Sequence, residues 1–536
     1  MKLVTVSQMQ EIEKEADANG LSYDQMMQNA GLGLADVIAD LFADDDSLAI
    51  VGLVGSGNNG GDALVALTAL VEAGWKASAY LVKRRKDALV KRFAEAGGEV
   101  FAGEGAFEQL TEALGSAHIF LDGAFGTGVK PPLKKDVAET LAEVNDYLDS
   151  LDEPPFVIAV DCPSGVNCDS GETAEETIRA DLTVTMAAVK QGLLKLPAFE
   201  YVGGLKVVDI GFPPNLSKWK DVCVEVADED SISALLPERP LDAHKGTFGA
   251  ALIAAGSVNY AGAVVLAGEA AYRAGAGLVQ LAIPASIHAA IAGQIPEATW
   301  ILLPHSTGVI ASGAADVLLK NLGRATAMLI GPGVGSESAT KEFIETLLTQ
   351  RATPKKSALG FVHEEADSKE TIENALPPLV VDADGLRLLA QIKDWQVKLP
   401  ATAILTPHPG EMSALTGISR EEIQEDRQSI ALKFAREWGH VVVLKGAFTV
   451  IAAPDGRMTI IPVASPALAR AGSGDVLAGV IVGLRAQGLD AYDAATAGAW
   501  IHAQAGLYAA DDLGSTVAVM ASDIVSSIPD VLCDLE

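Results

Sequence analysis

The stretch 48–62, Leu48-Ala49-Ile50-Val51-Gly52-Leu53-Val54-Gly55-Ser56-Gly57-Asn58-Asn59-Gly60-Gly61-Asp62, decides the fold of the first part of the chain. Residues 48–54 are all apolar and end in a Gly-rich turn, after which 62–74 runs Ala/Leu-rich at helical spacing. Strand, turn and helix in that order open a parallel α/β sheet. Gly55 to Gly60 forms a GxGxxG in the context that a dinucleotide fingerprint requires. Glycine permits the tight turn, and the helix start offers free N–H groups to a phosphate. The fingerprint also wants an acid after the second strand, but here stands Lys83-Arg84-Arg85-Lys86. That cluster could meet a 2′-phosphate, although a solvated basic turn is the plainer reading. Asn58, Asn59 and Asp62 are more polar than a cofactor-cradling loop needs.

The same grammar runs outward in both directions. Strands are expected at 77–82, 118–121, 156–160, 182–186 and 205–209, then at 250–254, 278–282, 327–330, 379–381, 402–405, 441–444, 449–453 and 458–461. A helix is expected over 475–486. Gly211 to Pro214 ends the first pattern and 225–239 is acidic and contains prolines, which sets domains at 1–222 and 223–536. The polar stretch 352–373 reads as a surface insertion. With 536 residues and 49% apolar content the chain has ample core material, which excludes a mainly disordered protein. A net charge of −32 argues against binding nucleic acid or an anionic membrane, both of which draw on Lys and Arg. The uncharged stretches 248–268 and 274–296 are broken by glycines into strand- and helix-sized pieces, unlike a membrane span. Residues 1–14 lack a signal-peptide core, and the four cysteines include no CxxC pair. A cytoplasmic protein with reduced thiols is expected, Cys162 and Cys168 being the pair that could bridge.

In open parallel sheets ligands bind beyond the carboxyl ends of the strands. After Leu121 comes Asp122-Gly123-Ala124-Phe125-Gly126-Thr127-Gly128, and after Val160 comes Asp161-Cys162-Pro163-Ser164-Gly165. One such Asp is ordinarily a cap or turn former; several acidic strand ends beside Gly-rich loops favour a site. Oxygen donors from Asn59, Asp122 and Ser164 would suit a hard cation, leaving Asp161 for proton transfer.

In the second half Ala471-Gly472-Ser473-Gly474-Asp475 opens a helix. Backbone N–H groups at a helix start favour an anion, and Asp475 stands where it could take a proton from a hydroxyl beside a phosphate. Alone this could be a tight turn with a cap. It is accompanied by His244-Lys245-Gly246, Ala255-Gly256-Ser257, Gly331-Pro332-Gly333-Val334-Gly335, Thr406-Pro407-His408-Pro409-Gly410-Glu411 and Lys445-Gly446-Ala447-Phe448-Thr449, most of them at strand ends. His408 could equally be a satisfied loop histidine. No Gly-Lys dipeptide occurs, which excludes a Walker A loop.

Together, Gly57 to Asp62, Asp122 to Gly128, Asp161 to Asn167 and Met27-Gln28-Asn29-Ala30-Gly31 make residues 1–220 resemble the NAD(P)H-hydrate epimerases. The resemblance implies a Rossmann-like domain that interconverts the R and S hydrates of NADH and NADPH. It implies K+ held by Asn59, Asp122 and Ser164, and it places Asp161, the catalytic candidate for proton transfer, among the substrate contacts. Substrate contacts would come from Asn58, Asn59, Gly60, Gly61 and Asp62, and from the loop Gly126, Thr127, Gly128, Val129, Lys130, Pro131, Pro132 and Leu133. Ala63 stands where the family commonly has another Gly, and 186–190 departs from its usual Gly/Pro-rich form.

The HKG, GPGVG, VDADG, TPHPGE, LKGAFT and AGSGD elements make residues 225–536 resemble the ADP/ATP-dependent NAD(P)H-hydrate dehydratases, ribokinase-like α/β proteins. That resemblance implies ADP or ATP with Mg2+, contacted by Lys445, Gly446, Ala447, Phe448, Thr449, Gly472 and Gly474. It implies the hydrate contacted by Ala263, Gly333 and His408, with Asp475 catalytic. Ser465 replaces a typical Asn. The whole chain thus reads as a fused enzyme, an isomerase followed by a lyase, acting on small molecules and expected as a homo-oligomer. A ribokinase-like small-molecule kinase with an accessory ligand-binding domain is the alternative.

Overall fold

Strand β1 (Ala49–Gly55) is buried from Ile50 onward, as a strand covered on both faces must be. Ile50 and Val54 enter one apolar core while Val51 and Leu53 enter another, the period-two alternation of a strand between two layers. The computed structural model describes residues 1–43, 48–349 and 376–536, and the chain divides into units Met1–Val226 and Ala227–Glu536. The expected insertion at 352–373 lies outside the described residues.

In the first unit β2 (Lys76–Val82), β3 (Glu99–Phe101), β4 (Ile119–Gly123), β5 (Phe156–Val160), β6 (Leu182–Met186) and β7 (Gly204–Val208) complete a sheet of order β3-β2-β1-β4-β5-β6-β7. Every neighbouring pair is parallel. The order reverses between β1 and β4, and ligands of doubly wound sheets gather at such a switch point. The expected helix at 62–74 is Asn58–Glu72, so Asn58 to Gly61 form its first turn instead of a loop. Close approach explains the glycines there. A Cβ on Gly55 would lie 1.8 Å from the carbonyl oxygen of Ala124, and one on Gly60 2.1 Å from that of Gly55. Gly55→Ala is therefore expected to destabilise this unit by about 1–3 kcal/mol, the usual cost of overpacking. The check is its urea midpoint; an unchanged midpoint would mean that the turn yields.

In the second unit the strands are β8 (Ala250–Ala254), β9 (Leu278–Pro284), β10 (Thr299–Leu303), β11 (Ala327–Ile330), β12 (Leu379–Val381), β13 (Ile404–Leu405), β14 (Val441–Leu444), β15 (Val450–Ala452) and β16 (Met458–Ile460). They run in the order β16-β15-β14-β13-β12-β11-β8-β9-β10. The sheet is parallel from β10 to β14, and β15 and β16 are antiparallel additions. β3 and β10 were not among the expected strands. β3 has only three residues, and Thr299 and Leu302 of β10 are exposed, so these edge strands lack a continuous buried signal.

The uncharged stretches resolve into β8, the helix Ala261–Arg273 and β9. No described helix is long and apolar enough to cross a membrane. The helix Ser473–Ala486 is buried along most of its length. A Cβ on its Gly479 would stand 2.4 Å from the carbonyl oxygen of Ala267, so the two helices meet backbone to backbone.

Candidate active sites

A cleft of about 660 Å³ opens at the carboxyl ends of the first sheet. Of the residues expected at a site, Asn58, Asn59, Asp62, Gly126, Thr127, Gly128, Val129 and Asp161 line it. Gly60 and Gly61 lie in the buried first turn of the helix instead, Gly61 giving room to Met27, whose Sδ would be 2.7 Å from a Cβ there. Lys130 to Leu133 continue the loop outside the lining. Asp161 follows β5 in the left-handed region, at φ +62°, with its N–H bonded to the carbonyl of Val184 at 2.8 Å. Its Oδ1 accepts from Thr185 Oγ1 and from the Met186 N–H, each at 3.0 Å, and forms an ion pair with Lys190. Oδ2 has no protein partner among the described residues.

Lys190 and Glu13 also line the cleft, and the sequence reading singled out neither. A lone Lys after a strand carries no readable signal, and Glu13 looks like any exposed position of the amphipathic helix Val6–Ala18. Burial, with Asp161's negative charge added, holds the Asp62 carboxyl well above its ordinary range. Burial also raises Glu13.

Beside the cleft, Asp122 is fully buried. Its Oδ2 accepts from the Ser164 N–H at 2.7 Å and its Oδ1 from Ser164 Oγ at 2.6 Å. Phe125 N–H donates to Ser164 Oγ at 2.9 Å, and Asn59 Nδ2 donates to the Phe125 carbonyl at 2.9 Å. Asn59, Asp122 and Ser164 are thus drawn together around Phe125. Asn59 Oδ1 is buried without a partner, and no basic side chain pairs with Asp122 among the described residues. Burial pushes the Asp122 carboxyl up to about 6 despite the opposing hydrogen bonds. A buried carboxylate without a counter-charge, beside an unpartnered amide oxygen, fits a hard cation that prefers oxygen donors. No cluster of three or more His, Cys, Asp or Glu suited to a metal occurs among the described residues.

Lys83, Arg85 and Lys86 of the basic turn are exposed, as a solvated turn requires, and only Arg84 departs from that state. Arg84, with its side chain 7% exposed, pairs with Asp87 and donates to the carbonyls of Gly55 and Gly57 at 2.8 and 3.2 Å. It braces the glycine turn because that turn leaves carbonyls without strand partners, and it is not free for a 2′-phosphate. Lys83 pairs with Asp136. Cys162 and Cys168 are both buried free thiols.

In the second unit five strand ends converge. The Gly256 N–H bonds to the Pro332 carbonyl at 2.8 Å and the Lys445 N–H to the Pro407 carbonyl at 2.9 Å, tying the segments after β8 and β11 and those after β13 and β14. A Cβ on Gly333 (φ +60°) would lie 2.9 Å from that of Ala263, so these two expected contacts adjoin. Asp475 lies in the first turn of Ser473–Ala486, whose start has no side-chain cap; the Ser473 N–H donates to the Arg470 carbonyl at 3.3 Å, which leaves the amides of Gly474 and Asp475 for an anion. A Cβ on Gly474 would stand 3.4 Å from Lys445 Nζ and 3.9 Å from Asp382 Oδ2, which puts both charges at the helix start. Lys445 Nζ donates to Asp382 Oδ1 at 2.6 Å and lies 3.7 Å from Glu411 Oε2. Burial and then Asp382's charge push the Asp475 carboxyl up to about 7.

His408 caps the helix Pro409–Thr416: Nδ1 accepts from the Gly410 N–H at 2.9 Å, and Nε2 lies 3.2 Å from Glu411 Oε1. Burial lowers its pKa, so the imidazole is neutral near pH 7. Gly446 to Thr449 turn through φ +149° at Gly446 and +54° at Phe448. Arg427 supports that turn by donating to the Leu444 carbonyl at 2.8 Å. Ser465 accepts from the Ala467 N–H at 3.3 Å, a local cap. Asp382, Glu411 and Arg427 were not singled out as site residues, though the first two lie inside the VDADG and TPHPGE elements. Asp382 Oδ2 is buried without a partner.

A family model described as NAD(P)H-hydrate dehydratase matches residues 251–530, and one described as YjeF-related protein N-terminus matches 23–192. A bifunctional NAD(P)H-hydrate repair enzyme of Moorella thermoacetica is 35% identical over 547 residues, covering 100% of this chain and 97% of its own. The enzyme of that name from Escherichia coli K12 is 31% identical, covering 96% and 91%. Among solved structures, an ADP/ATP-dependent NAD(P)H-hydrate dehydratase from Bacillus subtilis, co-crystallised with ATP/Mg2+, is 30% identical. It covers 58% of this chain and 99% of its own, at a TM-score of 0.46.

Proposed function

The chain belongs to the bifunctional NAD(P)H-hydrate repair enzymes, and from that premise we propose how its residues divide the work. The first unit epimerises the R and S hydrates of NADH and NADPH, and the second dehydrates the S hydrate with an adenine nucleotide. The observation that carries the assignment of roles is that each unit keeps an acid at its ligand-facing edge, Asp161 at the cleft and Asp475 at an uncapped helix start.

The hydrate bears a hydroxyl on the ring carbon next to the ring nitrogen. Inverting that carbon needs proton transfer at the oxygen and passage through a planar carbon. Asp161, with Oδ1 tied down, takes and returns the proton through Oδ2. Asn58, Asp62 and the loop from Gly126 to Val129 hold the substrate. Asn59, Asp122 and Ser164 would hold K+, which would supply the counter-charge that the Asp122 carboxylate lacks. Cation binding to the folded state stabilises it, by about 1.4 kcal/mol at ten times the dissociation constant. Adding K+ is therefore expected to raise the melting temperature of the first unit, and Asp122→Asn to abolish that rise. A K+ response that survives Asp122→Asn would place the cation elsewhere.

In the second unit the hydrate oxygen attacks the terminal phosphorus of ADP or ATP and its proton passes to Asp475. The bond from that phosphorus to the nucleotide's bridging oxygen breaks, with the amides of Gly472 and Gly474 meeting the transferring group. The ring nitrogen's lone pair then expels phosphate, and loss of a proton from the adjacent ring carbon restores the double bond. Lys445 to Thr449 hold the nucleotide, and Ala263, Gly333 and His408 the hydrate. Asp382 Oδ2, buried without a partner, would offer an oxygen to nucleotide-bound Mg2+.

The test is recovery of dihydronicotinamide absorbance from mixed R and S hydrates with ADP or ATP and K+. Complete recovery supports the reading. A phosphorylated hydrate that accumulates without returning to NAD(P)H would instead mark a small-molecule kinase.

A further inference from the structure

We infer that Lys190 is a positioning residue of the epimerase, an ammonium whose work is to hold Asp161 Oδ1 so that Oδ2 meets the substrate; this rests on Asp161 being the proton carrier. Lys190 is 1% exposed, and burying an ammonium is costly unless it is paired and hydrogen-bonded. Its partners are Asp161 Oδ1, Thr185 Oγ1 at 2.9 Å and the Met186 carbonyl at 2.8 Å. An ammonium has three N–H donors, and these three acceptors use them all. Lys190 therefore has no donor left for a substrate, although it lines the cleft.

Its effect has to pass through Asp161. Three donors converge on Oδ1, from Lys190, Thr185 Oγ1 and the Met186 N–H, and they fix the plane of the carboxyl group. The left-handed backbone at Asp161 fixes where that plane starts. Among the described residues lining the cleft Lys190 is also the one cation, set against Glu13, Asp24, Asp62 and Asp161. A structural role alone would explain it poorly, because a buried ion pair stabilises little better than an apolar residue of the same shape.

The experiment compares Lys190→Met, Thr185→Val and Asp161→Asn in the full chain, with epimerisation of the R hydrate followed directly. Misplacing a reacting group by about 1 Å can cost about 100-fold. Lys190→Met is therefore expected to lower the epimerase kcat by about 100-fold with KM within about threefold. Thr185→Val, which keeps the side chain's shape, should lower kcat by about tenfold with KM unchanged. Should Lys190→Met fail to fold, Thr185→Val decides the matter. A kcat retained within about threefold in either folded variant overturns the inference, as does a loss that appears in KM. If Asp161→Asn itself keeps its activity, the reading of Asp161 is what fails; if it loses activity while Lys190→Met does not, only the role of Lys190 falls.

Discussion

Asp475→Asn is expected to lower dehydration of the S hydrate by about 1,000-fold, within the range that general-base catalysis supplies, while epimerisation by the same chain continues. The amide keeps the shape and cannot accept the hydroxyl proton, so the loss should fall on kcat. Steady-state assays with ADP or ATP on purified S hydrate would measure it. A pH dependence accompanies the prediction. Burial and the charge of Asp382 hold the Asp475 carboxyl at about 7, and only its ionised form is a base. The dehydratase kcat/KM should therefore rise through about pH 7 to a plateau and fall about tenfold per unit on the acid side. A flat profile from pH 6 to 8 would remove Asp475 from the role of base.

Asp161→Asn is expected to stop epimerisation, with a loss of at least about 100-fold, and to leave dehydration intact. Given mixed hydrates, nucleotide and K+, the variant should restore the S fraction quickly and leave the R fraction behind. The wild-type chain should restore both. The dehydratase rate of the same sample reports whether the variant folded. Rapid recovery of the R fraction by Asp161→Asn would assign the proton transfer to another group in the cleft, and Asp62, held well above its ordinary range, would be the first to examine.

Several functional pairings escaped the sequence, and in each case the partners are far apart in the chain. Lys190 meets Asp161 across 29 residues because β5 and β6 are adjacent parallel strands. Lys445 meets Asp382 across 63 residues at the ends of β14 and β12. The Asp382–Lys445 pair lies inside two motifs whose spelling is recognisable, yet nothing in the spelling says that the two touch. Arg84 looked like one of four solvated cations, and only the path of the glycine turn shows which one turns inward.

What the sequence by itself determined is local. The apolar run into Gly55 makes a buried strand and a tight turn, and the AGSGD element opens a helix. Asp122 and Asp161 fall at strand ends because strand, turn and helix periodicities are written in consecutive residues. Tertiary structure decided what those residues meet: the edge strands, the bracing by Arg84, and the ammonium groups that hold Asp161 and Asp382. Strand order in a parallel sheet is set by crossovers of many residues. Contacts between the mouths of neighbouring strands therefore depend on the whole sheet and on no single segment.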